Sequence, residues 1–323
     1  MKVDPRSPKS TAAGWIRSQG PLIALVVLLV VASVRFPEFC TTGNFSNIGR
    51  QVSMSGVLAI GMAFVILSGG IDLSVSSIAA LAALLAAQYS GEFFLAPIVV
   101  PVAVGAAVGA VNGFLITRMR ITPFIATLAM MLGVRGLVFI LAGKEAVVAG
   151  VSGGWFSKIA WGSWTDVPYS TMIFALLLAA ALAVSRYAGF GRSVYAVGGN
   201  EEAAAMMGLR VRRCKMIVYM ICGGCAGVGG MILASRVTSV RPNIAVGWEL
   251  DAIAAVVISG ISLVGGIGRI GNVVCGVLIL GVIPNIINRL PFSLPTYSNR
   301  LITGLLLLAV VLLQSRIAKR DPR

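Results

Sequence analysis

Residues 93–117 read FFLAPIVVPVAVGAAVGAVNGFLIT, a run without a single charged side chain. About 20 apolar residues in a helix cover the ~30 Å hydrocarbon core of a bilayer. The run therefore reads as a transmembrane helix. Within it Gly105, Gly109 and Gly113 form two consecutive G-x-x-x-G steps. That spacing puts small residues on one helix face, where a second helix can approach closely in lipid.

Working outward, further apolar segments fall at 20–36, 52–68, 73–90, 122–142, 167–185, 216–234, 250–266, 270–288 and 300–315. With the first run they predict an all-α, polytopic membrane protein of ten spans. The eighth and tenth are short, so either could be re-entrant or broken. Composition agrees: the 323 residues are 58% hydrophobic and 11% charged, with mean hydropathy +0.94. A closed soluble globule could not hide so much apolar surface. Aromatics make up 7% and ten-residue alternating strands are absent, which argues against an outer-membrane barrel.

The net charge of +15 sorts onto one side. With the N-terminus inside, seventeen Lys and Arg fall in the inner set and eight in the outer loops, Arg135 lying within a span. The positive-inside rule then predicts both termini in the cytoplasm of a multi-pass bacterial inner-membrane protein. In this reading the chain is one transmembrane domain over 1–323, with a cytoplasmic N-tail (1–19), a large inner loop (186–215) and a cytoplasmic C-tail (316–323). The first apolar segment is read as a retained span, since no small-residue cleavage site closes it. Trp155, Trp161 and Trp164, in the outer loop between spans five and six, suit a membrane interface. A bilayer-embedded chain has little free basic face, so nucleic acid is not an expected partner.

Several chemistries are excluded by what the chain lacks. It contains no histidine, which removes His-dependent hydrolysis and His-ligated metals. Cys222-Gly-Gly-Cys225 matches a redox spacing but lies in a glycine-rich apolar helix, where small residues for helix contact explain it better. No metal or cofactor is expected on the chain. A phosphate loop needs G-x-x-x-x-G-K-[ST]; Gly143-Lys144 is followed by Glu145 and has Val138 at the first glycine position. Gly266-Ile-Gly268-Arg-Ile-Gly271 lacks the preceding strand of a dinucleotide site and reads as a turn between packed helices.

Internal similarity is short but suggestive. GGIDLSVSSIAALAAL (69–84) and GWELDAIAAVVISGISL (247–263) each place an aspartate before an Ile/Ala-rich run. They begin spans three and eight, five apart, an odd offset, so the two helices should run in opposite directions, as in an inverted repeat. Polar groups at membrane depth are costly and mark pathways or caps. Asp72, Ser74, Asn112, Arg135, Glu249 and Asp251 are the candidates for a translocation pathway; helix capping is the competing role for the aspartates, and a structural ion pair for Arg135.

The inner loop contains GGNEEAAAMMGLRVRR (198–213). Gly198-Gly199 is expected to turn the chain, Asn200 to cap a helix, and Glu201 and Glu202 to sit in its first turn. Ala203–Met207 would continue it and Gly208 end it. Two turns are too short to persist alone, so the helix should dock on its own bundle or on a partner, Met206 and Met207 offering an adaptable apolar face.

Four segments, ILSGGIDLSVSSIAAL (66–81), NGFLITRMRITPFIATLAMM (112–131), GRSVYAVGGNEEAAAMMGL (191–209) and WELDAIAAVVISGISLVGG (248–266), together resemble the permease subunits of bacterial ATP-binding-cassette importers for ribose, xylose, arabinose, galactose and galactofuranose. The resemblance covers nearly the whole chain; departures occur at Ser76 and at Ser259-Gly260-Ile261. It implies that ATP and magnesium are bound by a separate cytoplasmic ATPase subunit, that a periplasmic sugar-binding protein delivers substrate, and that a second permease copy or a paralogue completes a dimer in the lipid bilayer. It also implies that Gly199, Asn200, Glu201, Glu202, Ala203 and Ala204, with Met207 and Gly208, form the segment that couples to the ATPase. The competing expectation is a secondary transporter or channel working without ATP. An intramembrane enzyme would need clustered carboxylates or a metal site, which the inner loops lack.

Overall fold

The computed structural model describes residues 20–91, 95–143, 148–149 and 154–289, with isolated positions 301, 304, 305 and 308. The tenth predicted span and both predicted tails lie largely or wholly outside the described residues. The described residues are mostly helical. Gly20–Arg35 forms α1, Thr42–Leu67 α2, Val75–Gln88 α3, Ala96–Thr117 α4 and Pro123–Ala142 α5. Further along, Lys158–Trp161 forms α6, Tyr169–Tyr187 α7, Gly189–Gly199 α8 and Glu201–Met206 α9. Val211–Arg236 is α10, Trp248–Ile258 α11 and Val273–Ile287 α12. The strands are two-residue pieces: β1 (Val148–Ala149) pairs antiparallel with β4 (Ser239–Val240), and β2 (Ser163–Trp164) with β3 (Val167–Pro168).

Six stretches among the described residues are long and apolar enough to cross a membrane: α2, α4, α5, α7, α10 and the run Ile270–Ile287 that ends in α12. They differ in burial. The most apolar windows of α2 and α10 are 83% and 61% buried, whereas those of α5 and α7 are 22% and 17% buried. α2 and α10 thus form the centre, with α5 and α7 presenting apolar side chains outward. On α1, Val26, Val30 and Val34 make an exposed stripe at four-residue spacing. A face of this kind is stable only in lipid, where backbone groups are satisfied inside each helix.

The glycine pattern explains the tightest contact. α4 and α10 cross with G-x-x-x-G motifs face to face, Gly105, Gly109 and Gly113 on one and Gly223 and Gly227 on the other, so that a Cβ on Gly105 would collide with the Gly223 carbonyl oxygen, and one on Gly223 with that of Gly105. Gly61 of α2 meets α10 at Cys222, whose Cα would lie 2.8 Å from an added Cβ. Cys222 and Cys225 are free thiols, buried in this contact, serving as small side chains on the crowded face of α10.

Several boundaries differ from the hydropathy reading. α2 begins at Thr42, ten residues before the apolar run, because the Thr41 hydroxyl caps it by accepting from the Asn44 amide at 3.3 Å. α10 begins at Val211, so the basic residues Arg212, Arg213 and Lys215 fall within its first five residues rather than in a loop. The expected eighth span, 250–266, is broken: α11 stops at Ile258 and the chain then turns at Gly260, Gly265, Gly266 and Gly268, all with positive φ. Eleven residues rise about 16 Å, and the fourteen of α3 about 21 Å, short of a full crossing. Both short helices are preceded by non-helical chain. Beyond α11 the Gly266 amide donates to the Leu67 carbonyl at 2.9 Å, at the end of α2 just before α3 begins. The glycine-rich chain that follows α11 therefore lies against the end of α2.

Candidate functional site: a short helix, a sealed polar cluster and a charged cavity

Three places gather the predicted site residues. The first is the segment after α8. Gly198 and Gly199 do not turn the chain, contrary to the sequence expectation; they are the last residues of α8. Gly198 is small because α8 packs there on backbone: a Cβ would strike the Leu67 carbonyl oxygen and come 2.7 Å from the Gly266 amide nitrogen. The reversal is made at Asn200, which is extended at φ −161° and ψ 107°. Its side-chain oxygen accepts from the Ala203 amide at 2.9 Å, capping α9. Glu201 and Glu202 occupy the first turn of α9. At the other end Gly208 takes φ +82°, and the Leu209 amide donates back to the Ala204 carbonyl at 3.1 Å, closing the helix in the left-handed way that glycine permits.

Six residues cannot hold a helix by themselves. α9 is anchored by Ala204, fully buried against the bundle, and by the ion pair of Glu201 with Lys215 on α10. Its other face is bare: Met206 is 86% and Met207 71% exposed. An apolar, flexible pair projecting from a two-sided anchor is a surface shaped for a groove.

The second place is a polar cluster sealed in the bundle. Asp72, Ser74 and Asn112 are all fully buried. One carboxylate oxygen of Asp72 accepts from the Ser74 amide at 2.9 Å and from its hydroxyl at 2.6 Å. The Asn112 amide of α4 donates to the same hydroxyl at 2.8 Å. Tyr219 of α10 closes the side, its hydroxyl 3.4 Å from the Ile71 carbonyl. These bonds hold the non-helical chain that leads into α3 and tie it to α4. The second oxygen of Asp72 and the side-chain oxygen of Asn112 are buried without a hydrogen-bond partner. The three residues are brought together, each fully buried.

The third place joins α5 to α11. Arg135 donates to the carbonyls of Pro242 and Ile244, both at 2.8 Å, so its partners are loop backbone ahead of α11. The Glu249 charge acts on it as well. Arg135, Glu249, Ser76 and Asn243 line a cavity of about 250 Å³ walled by Leu132, Phe139 and Val246. One carboxylate oxygen of Glu249 is buried there without a hydrogen-bond partner. Asp251 lies apart, exposed in the first turn of α11. Asn243 and the role of Tyr219 escaped the sequence reading. Asn243 sits in an irregular loop and Tyr219 inside an apolar span, and neither carries a local pattern.

Over residues 44–311 the chain matches the family described as branched-chain amino acid transport system / permease component. It is 39% identical over 309 residues to the ribose import permease protein RbsC of Escherichia coli (strain K12), covering 94% of this chain and 95% of the relative. It is 39% identical over 305 residues to the protein of the same name from Bacillus subtilis (strain 168), covering 94% of each. With the L-arabinose transport system permease protein AraH of Escherichia coli (strain K12) it shares 40% identity over 311 residues, 95% of this chain and 93% of the relative. No solved structure matches the chain. Membrane-length helices around a glycine-packed centre, and end-to-end similarity to import permeases, lead to one statement: the chain belongs to this family of transport-system permease components.

Proposed function

We propose that the chain is the inner-membrane subunit of an ATP-binding-cassette importer that carries a monosaccharide into the cytoplasm, both termini being cytoplasmic. The observation that carries the reading is similarity of about two residues in five, along nearly the full length, to permeases named for ribose and for arabinose. A periplasmic binding protein would deliver the sugar, and a second copy or a paralogue would complete the passage. ATP and magnesium would sit on a separate ATPase subunit, since neither glycine motif here has a phosphate-loop pattern.

In this proposal the ATPase grips α9. Met206 and Met207 enter its cleft, and Ala204 and the Glu201–Lys215 pair pass its movement to α10, the central helix that touches α2, α3 and α4. ATP acts by favouring one of two arrangements of the bundle. The cavity at Arg135 and Glu249 is the place on the path where a polyhydroxyl solute finds both donors and acceptors beside apolar walls, the mixed lining that small-molecule sites use.

The test is co-reconstitution in vesicles with a cognate ATPase and a sugar-binding protein, supplied with labelled ribose or arabinose. Uptake should require ATP, and Glu202→Lys should uncouple hydrolysis from uptake while the chain stays folded. Normal uptake by that variant, or accumulation that ignores ATP and collapses with a protonophore, would overturn the proposal in favour of a secondary transporter.

A further inference from the structure

A cavity of about 750 Å³ opens beside the C-terminal end of α7, away from α9 and from the Arg135 cavity. Its lining changes character along one helix. Ala179, Leu182 and Ala183 belong to the membrane-crossing part of α7, and Arg186 stands at its end. Facing them are Tyr195 of α8 and Arg269, which precedes the turn Ile270–Asn272 that opens α12. No Asp or Glu lines the cavity. Neither Arg186 nor Arg269 is ion-paired with a carboxylate among the described residues. Both arginines are exposed, and Arg186 lies over the Tyr187 ring at 5.7 Å. Burial raises the Tyr195 phenol above its usual value, while the Ile270 backbone and the Arg269 charge act in the opposite direction.

A neutral sugar does not call for two unpaired guanidinium groups, and an acidic soluble segment would leave the apolar wall uncovered. A molecule with an anionic head and a hydrocarbon tail satisfies both halves. Basic pockets between helices at the membrane surface hold anionic lipid headgroups on these grounds, and arginine suits phosphate because its planar fork donates two hydrogen bonds at once. We infer that this groove is a binding site for an anionic phospholipid, its phosphate between Arg186 and Arg269 and an acyl chain along Ala179, Leu182 and Ala183. The site holds the end of α7 to the start of α12 through the lipid.

The test is lipid titration of the purified full chain by native mass spectrometry in a nonionic detergent. The probes are dioleoyl phosphatidylglycerol, dioleoyl phosphatidylcholine and inorganic phosphate. Phosphatidylglycerol should bind more tightly than phosphatidylcholine, and Arg186→Gln with Arg269→Gln should weaken it roughly ten- to thirtyfold, about a factor of a few per charge lost. Arg192→Gln, whose arginine does not line the groove, should leave binding unchanged. Should the double variant not fold, Leu182→Glu carries the test, since a carboxylate on the exposed wall should repel the same lipid. Equal binding of the two lipids, unchanged phosphatidylglycerol binding in both groove variants, or full displacement of the lipid by phosphate alone would overturn the inference. So would a double variant that binds lipid normally but no longer co-purifies with the ATPase subunit, which would make the groove a protein contact.

Discussion

Gly223 and Gly224 are neighbours on one helix, yet the structure predicts opposite outcomes when each becomes alanine. At Gly223 the new Cβ meets backbone: the Gly105 carbonyl oxygen in a hard collision, with the Gly105 carbonyl carbon and the Gly109 nitrogen each at 3.0 Å. No side chain can swing away, so α4 and α10 must separate along their whole seam. Overpacking of this kind costs typically 1–3 kcal/mol, and a contact made only of backbone belongs at the upper end. Alanine's better helix propensity returns up to about 1 kcal/mol, leaving Gly223→Ala roughly 2 kcal/mol less stable. At Gly224 the nearest atom is the Ala106 Cβ at 3.9 Å, ordinary contact, so only the propensity gain remains. The two variants should therefore differ by about 3 kcal/mol. Denaturation of the purified variants from mild detergent by increasing sodium dodecyl sulfate, followed by circular dichroism, measures the difference. If Gly223→Ala and Gly224→Ala lose structure together, α4 and α10 do not meet at this glycine seam and the packing described here is wrong.

Two further outcomes follow from the buried polar groups. Asp72→Asn keeps an oxygen for the two bonds from Ser74 and should unfold close to the parent, whereas Asp72→Leu strands both donors at about 1–3 kcal/mol each and should give little folded protein in a fluorescence-detected chromatography screen. Arg135→Lys offers one flexible ammonium where the guanidinium reached two carbonyls; its thermal unfolding should shift modestly while the apparent KM for sugar uptake rises severalfold. Unaltered uptake kinetics in a normally folded Arg135→Lys protein would remove the cavity from the proposed path.

How much of this was legible in the sequence depends on the range of the interaction concerned. Hydropathy is a sum over neighbours along the chain, so the long spans stood out, and the basic loops beside them suggested an orientation. The Asn200 cap was equally local: an acceptor three residues ahead of the amide it satisfies can be read from spacing alone. Glycine at one-turn intervals announced close packing, and Gly105 with Gly223 did turn out to face each other, but which motif would meet which is a matter of two helices 118 residues apart in number.

Only the tertiary structure decided the rest. Gly198 looked like a turn because glycine usually marks one; it is helical, and small because a carbonyl from the end of α2 occupies the space of its side chain. Ser74 and Asn112 stand 38 residues apart, and only the fold gathers them with Asp72 into a buried cluster that ties the chain before α3 to α4. Arg135 could not announce its partners, since they are backbone carbonyls of Pro242 and Ile244, and every residue has a carbonyl. What a side chain does at short range is written beside it in the sequence; what it does across a bundle depends on which atoms folding brings opposite, and those are set by packing.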